Sequence, residues 1–314
     1  MKDSIAKYNI PFGAFGKIRV GIQVLWVKAY HIKVTDIDEL KGTIKGKSGL
    51  GDSIEIEIGA CRSLVPNEKF YSFRKDVYDT YAIFPYDIID EEKHPILFDD
   101  FCTRFPLAGE YLRKYKTVIK KNVKQSANDS QRWHLYTRES HLEENYSKIL
   151  IPMTANDVYA SVTTSDYYYC DNSNVNYADI PEKTIDNLYA VAAIFNSTIF
   201  SVLARSIANK QQNGYFKLNK QYLEPVLFPV YIFYKDKKLV KDLAIVGLEI
   251  EEKQDAYKYA LPSQQKRIKK NLNILWDKLD RMVAQAYRLT DAQEKYFASE
   301  GRNINRTEIL DNVL

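Results

Sequence analysis

Cysteine is scarce in this 314-residue chain: Cys61, Cys102 and Cys170 are the full set, and they lie far apart. No two have the close spacing of a zinc site, and three cannot build a disulfide framework, so a reduced, cytoplasmic setting is expected. Long apolar runs are lacking as well. No stretch approaches the ~18 apolar residues of a membrane span, and the opening MKDSIAKYNIPFGAFG has no apolar signal core, which argues against insertion and secretion. Histidine is sparse: His31 and His94 are isolated and His134 and His141 are seven apart, so spacing gives neither a metal site nor a general-base site. Two adjacent prolines never occur, and no segment is repeated or of low complexity.

What is present suffices for a full core, since 45% of the residues are hydrophobic. Residues 17–34 alternate apolar and polar side chains with β-branched and aromatic members, as one strand or a hairpin would. Residues 51–59, 81–86 and 146–152 read as further strands, and 158–176 as a hairpin by its Thr, Tyr and turn residues. Pro106 suits the first position of a helix whose stripe is Leu107, Tyr111, Leu112, Tyr115, Val118 and Ile119. After Pro229 the run VYIFY reads as a strand, residues 235–255 as a mixed, peripheral segment, and 263–287 as a long helix. The expected class is α+β, with mixed or antiparallel sheets in the N-terminal half and a helical C-terminal half. The expected division is 1–235 as a recognition domain and 236–314 as a helical segment packed on it.

The chain is organised around residues 187–230. Leu188, Val191, Ile194 and Phe195, then Ile199, Val202, Leu203 and Ile207, recur at helical spacing, and Asn196-Ser197 interrupt them with two good N-cap residues. Two helices meeting at Asn196-Ser197 are expected. They deliver a polar loop, Lys210, Gln211, Gln212, Asn213, Gly214 and Tyr215, closed by Lys217, Asn219 and Lys220. Amides can pair with base edges and lysines with phosphates, so this loop suits nucleic-acid reading. The formal charge of +4 is mild, but it hides a local field. Between 113 and 138, Arg113, Lys114, Lys116, Lys120, Lys121, Lys124, Arg132 and Arg138 face a single acid, Asp129. Solvated faces usually mix signs, so this bias points to phosphate contact. Arg62, Arg74 and Lys75 are further candidates for the recognition cleft.

The order of motifs resembles the C-terminal target recognition domain of adenine-N6 DNA methyltransferases of bacterial restriction-modification systems. The resemblance is carried by Ala193-Ile194-Phe195-Asn196-Ser197, Gly214, Leu218-Asn219-Lys220-Gln221-Tyr222-Leu223 and Leu227-Phe228-Pro229. Tyr81-Ala82-Ile83-Phe84-Pro85-Tyr86, the "Y-L-x-x-Y-K" and Trp133, Tyr136, Arg138 series, and residues 279–297 follow in the same order. Two positions depart from it: Val24-Leu25 stand where Thr-Gly is usual, and Ser147 replaces a proline. The resemblance implies double-stranded DNA as partner and a catalytic domain, in the same or a separate chain, that binds S-adenosylmethionine and takes the flipped adenine. This chain has no N-P-P-Y motif for that adenine. Phe12-Gly13-Ala14-Phe15-Gly16 has a cofactor loop's glycines but follows no expected strand, so no cofactor and no catalytic residue are expected here. One rival is a metal-dependent nuclease using Asp242, Glu251 and Lys253 on a strand. Another is a protein-interaction domain using its tyrosine-rich sheet.

Overall fold

A computed structural model describes residues 5–65, 72–73, 79–122, 129–143, 146–163, 168–170 and 175–301. It is an α+β fold with its larger sheets built mostly from the N-terminal half and long helices in the C-terminal half. A six-stranded sheet runs in the order Tyr168–Cys170, Cys61–Val65, Thr80–Ile83, His31–Asp38, Thr43–Ser48, Ser53–Glu57. Its first pair is parallel and the others antiparallel. A four-stranded antiparallel sheet places Ser161–Thr163, Lys148–Pro152, Val175–Asp179 and Lys17–Val20 side by side. The buried alternation of Ile32, Ile44 and Ile56 fixes the face that the six-stranded sheet turns inward.

Two large core clusters result among the described residues, beside a small one of Val65, Leu150, Val175 and Tyr177. One joins the six-stranded sheet to the helices Phe98–Arg104 and Pro106–Asn122 through Tyr30, Phe84, Tyr86, Phe101 and Leu112. The larger joins the four-stranded sheet to the C-terminal helices through Phe12, Phe195, Phe228, Leu243 and Trp276. Lys237–Lys258 lies along Ile185–Phe195 there, close enough that a Cβ on Gly247 would stand 3.4 Å from the ring of Tyr189. No single described helix is long and apolar enough to cross a membrane. The pair Ile185–Phe195 and Thr198–Arg205 passes that test together, bent by 59°, but its apolar residues fill the larger core.

The break between those two helices falls at Asn196-Ser197, as the sequence predicts. Ser197 Oγ accepts from Phe200 N at 3.1 Å, which caps the second helix. Asn196 does more than interrupt: its amide pairs both ways with the backbone of Ala160, each bond 2.8 Å, and so ties the break to the residue before the strand Ser161–Thr163.

Four sequence expectations are corrected. Residues 17–34 are neither one strand nor a hairpin. Lys17–Val20 and His31–Asp38 join different sheets, because Val27–Tyr30 closes a helical turn in which Ala29 N and Tyr30 N both donate to Trp26 O. Residues 158–176 are not a hairpin either, since Ser161–Thr163 pairs with Lys148–Pro152 and Tyr168–Cys170 pairs with Cys61–Val65. After Pro229 the chain makes the helical turn Ile232–Lys235, with Ile232 N bonded to Pro229 O. A short apolar run fits helix and strand alike. The supposedly peripheral segment is the 22-residue helix Lys237–Lys258, capped by Asp236 and burying Leu239, Leu243, Val246 and Ile250 in the core.

Candidate nucleic-acid interface

The basic helix Pro106–Asn122 is fixed over its first turns by acids from the six-stranded sheet and its loops. Glu57 accepts from Leu107 N at 2.8 Å and Ala108 N at 3.0 Å, satisfying two of the helix's orphan donors and placing a negative charge at its N-terminus. Asp52 binds Lys114 Nζ at 3.2 Å and accepts the Tyr115 hydroxyl, and that hydroxyl holds its carboxyl below the usual range. Ala108, Tyr111, Leu112 and Ile119 face the core. Leu107 and Val118, expected on the same stripe, are 40% and 42% exposed, because they lie at its edges.

The remaining cations of this region point outward but are not alike. Lys116 Nζ stands 5.3 Å from the Trp133 ring and 6.0 Å from Phe98, while the Arg113 guanidinium sits 5.8 Å from Phe98. In both, the charged group itself stands over an aromatic face. Lys120 is half-buried, and Lys121, Arg132 and Arg138 are exposed or half-exposed, Arg138 forming an antiparallel bridge with Gln23. Arg62 is more engaged: it lies 5.0 Å over the Phe84 ring and donates to Cys61 O at 2.8 Å. Arg74, Lys75 and Lys124 fall outside the described residues.

The polar loop proves to be a tight hairpin. Lys210 bridges Phe216, Gln211 N donates to Tyr215 O at 2.6 Å, and Lys217 N donates to Asn209 O at 3.1 Å. The reversal needs two left-handed residues, Asn213 at φ 60° and Gly214 at φ 79°, types that tolerate that region. Phe216 and Lys217 pair with Ala155 and Thr154, and Leu218 N donates to Met153 O, so the hairpin stands on a fixed base. At its tip Gln212, Asn213 and Tyr215 are exposed, as are Lys210 and Lys217 on its legs, while Gln211 is half-buried. The hairpin's base packs with the larger core and the basic helix with the other, so the two candidate surfaces grow from different clusters.

Neither the glycine motif near the N-terminus nor the nuclease triplet has the geometry its chemistry needs. Gly13 and Gly16 serve packing: an added Cβ would meet Glu224 Cβ at 3.0 Å and Asp179 O at 2.8 Å, so the loop is filled by protein and does not fit a cofactor. Asp242, Glu251 and Lys253 lie on the helix Lys237–Lys258, not on a strand. Nine residues at about 100° and about 1.5 Å each put Asp242 and Glu251 on opposite faces, roughly 13 Å apart along the axis. Glu251 is buried and accepts the Tyr189 hydroxyl at 2.6 Å. One metal ion cannot reach both carboxylates. Among the described residues no group of three or more His, Cys, Asp or Glu could hold a metal ion. His134 is wholly buried with Nε2 at 3.0 Å from Ile96 O, and burial pushes its pKa down to about 4, so it is structural.

Residues 103–230 match the family model of the TaqI-like C-terminal specificity domain. The match agrees with the motif order and contains both the basic helix and the hairpin. Over that segment the chain is therefore similar to a specificity domain of the restriction-modification kind. No curated protein matches the chain. Sequence reasoning missed a groove of about 830 Å³ between Lys17–Val20 and residues 219–225. The signal was present, because Asn219-Lys220-Gln221 directly follow the loop singled out as a reader.

Proposed function

We propose that this chain grips duplex DNA and gives sequence discrimination to an adenine-specific DNA methyltransferase. The catalytic domain, in the same or a separate chain, binds S-adenosylmethionine and receives the flipped target adenine. The observation that supports this reading is the hairpin within the matched segment, which holds Gln212, Asn213 and Tyr215 outward on a hydrogen-bonded base. Amides so presented can read base edges, whereas Arg113, Lys116, Lys120, Lys121 and Arg132 meet phosphates, which position without specifying. Lys210 and Lys217, on the hairpin's legs, flank the bases with charge, and Arg138 serves the adjoining strand.

Selection from a random duplex pool, with the chain in its full enzyme context, tests this division of labour. Gln211→Ala with Gln212→Ala should relax the selected site, by about 1–3 kcal/mol of discrimination for each bidentate amide–base pair removed, with little change in non-specific binding. Identical selected sites for wild type and the double variant would make the hairpin a scaffold.

A further inference from the structure

The groove beside the hairpin has one wall of apolar side chains, Val20, Met153 and Pro225, and a rim of Lys17, Lys220 and Gln221. It is tied to the reading hairpin by backbone. Leu218 N donates to Met153 O at 2.8 Å, and the buried Asn176 donates to Leu218 O at 3.0 Å, which fixes the chain one residue ahead of Asn219. Asn219 borders the groove at the N-cap of the turn Lys220–Leu223. An asparagine there ordinarily accepts from the helix's first amides. Here it caps nothing, and its enclosed Oδ1 meets no donor among the described residues. The terminal amide torsion is broad and roughly two-fold, so the amide can turn to the groove without giving up a hydrogen bond.

We propose that this groove seats one unstacked nucleotide of the bound DNA strand, its base laid on the Met153 wall and paired through its exocyclic amine with Asn219, its phosphate beside Lys17 and Lys220. The inference rests on the DNA-binding reading above. About 830 Å³ accommodates a base with its sugar and phosphate. Apolar side chains can contact the ring face while an amide, both donor and acceptor, reads the edge. Two competing groups are already engaged: Glu224 Oε1 accepts from Ile18 N at 3.0 Å, and Arg19 is paired with Asp179 at 3.0 Å. Lys17 and Lys220 are exposed at the rim.

The chain has three methionines, so the Met153 methyl signal can be assigned and followed by NMR. Titration of the full chain with deoxyadenosine monophosphate should move that signal saturably. Deoxythymidine monophosphate, whose base has no exocyclic amine, should bind at least about fivefold more weakly, and inorganic phosphate should leave Met153 unmoved. Asn219→Leu should erase the adenine-over-thymine preference, and Lys17→Ala with Lys220→Ala should weaken both nucleotides alike. Asn219→Ala, a truncation that removes no capping hydrogen bond, keeps the test open if the leucine variant fails to fold: it should erase the same preference. Equal response to phosphate and nucleotide would reduce the groove to an anion site and overturn the proposal. An unchanged preference in both amide variants would overturn it too, leaving Asn219 as a cap that turns inward. Duplex binding by the same sample is measured in parallel. Duplex bound with Met153 silent sinks the groove alone, and no duplex binding at low salt sinks the DNA reading.

Discussion

Replacing Lys120 and Lys121 by alanine should change how salt weakens DNA binding, by an amount that the structure sets. Lys114 is paired with Asp52, which leaves, among the described residues, Arg113, Lys116, Lys120, Lys121 and Arg132 as outward cations of this face. If each displaces one condensed counterion, log K falls against log salt with a slope of about −0.9 × 5, or roughly −4.5. Going from 50 to 200 mM salt then costs about 500-fold in affinity. Without Lys120 and Lys121 the slope becomes about −2.7 and the same step costs about 40-fold. Lys114→Ala is the internal control: its charge is already met by Asp52, so the slope should stay near the wild-type value. Fluorescence anisotropy of a labelled duplex at several salt concentrations gives all three slopes. If Lys114→Ala flattens the slope as much as the double variant does per charge removed, pairing with Asp52 does not decide which cations meet phosphate, and the division drawn here is wrong. A wild-type slope near zero would remove phosphate contact altogether.

Two further outcomes are expected. The purified chain should neither bind S-adenosylmethionine nor transfer a labelled methyl group to DNA, nor cut DNA with magnesium, because Gly13 and Gly16 are closed by packing and Asp242 and Glu251 face opposite ways. Methyl transfer or magnesium-dependent cutting by a clean preparation would contradict this. Stability should also fall in mild acid through His134. Its folded pKa of about 4 lies below the unfolded value near 6.5, so the unfolded chain takes up the proton first. The contribution is complete above about pH 6.5 and is lost as pH falls towards 4, by roughly 3 kcal/mol in all. Denaturant titrations of wild type and His134→Gln at several pH values read this out. The variant should show a shallower acid decline, and parallel declines would assign the loss to other groups.

The helix pair and its break were legible because each rests on neighbours in sequence: apolar residues at helical spacing, then Asn196 and Ser197 as caps. The loop after them was legible only as a polar loop; that it closes as a hairpin was not, although Asn213-Gly214 supply its left-handed turn. Strand partners were not, since Tyr168–Cys170 meets Cys61–Val65 across about a hundred residues and nothing local in either segment names the other. The helix Lys237–Lys258 was misread although Leu239, Leu243, Val246 and Ile250 keep its period, because the charges between them make the segment look solvated. The same limit governs the candidate site. Lys114 and Lys120 are indistinguishable in a count of charges, yet Asp52, 62 positions before Lys114, neutralises one and not the other. Arg62 reads as a cleft cation, yet Phe84 and the Cys61 carbonyl already hold it. The charge open to a partner is what remains after such distant pairings, so on the DNA-binding reading proposed above a cation excess in sequence overstates how many of its members can meet phosphate.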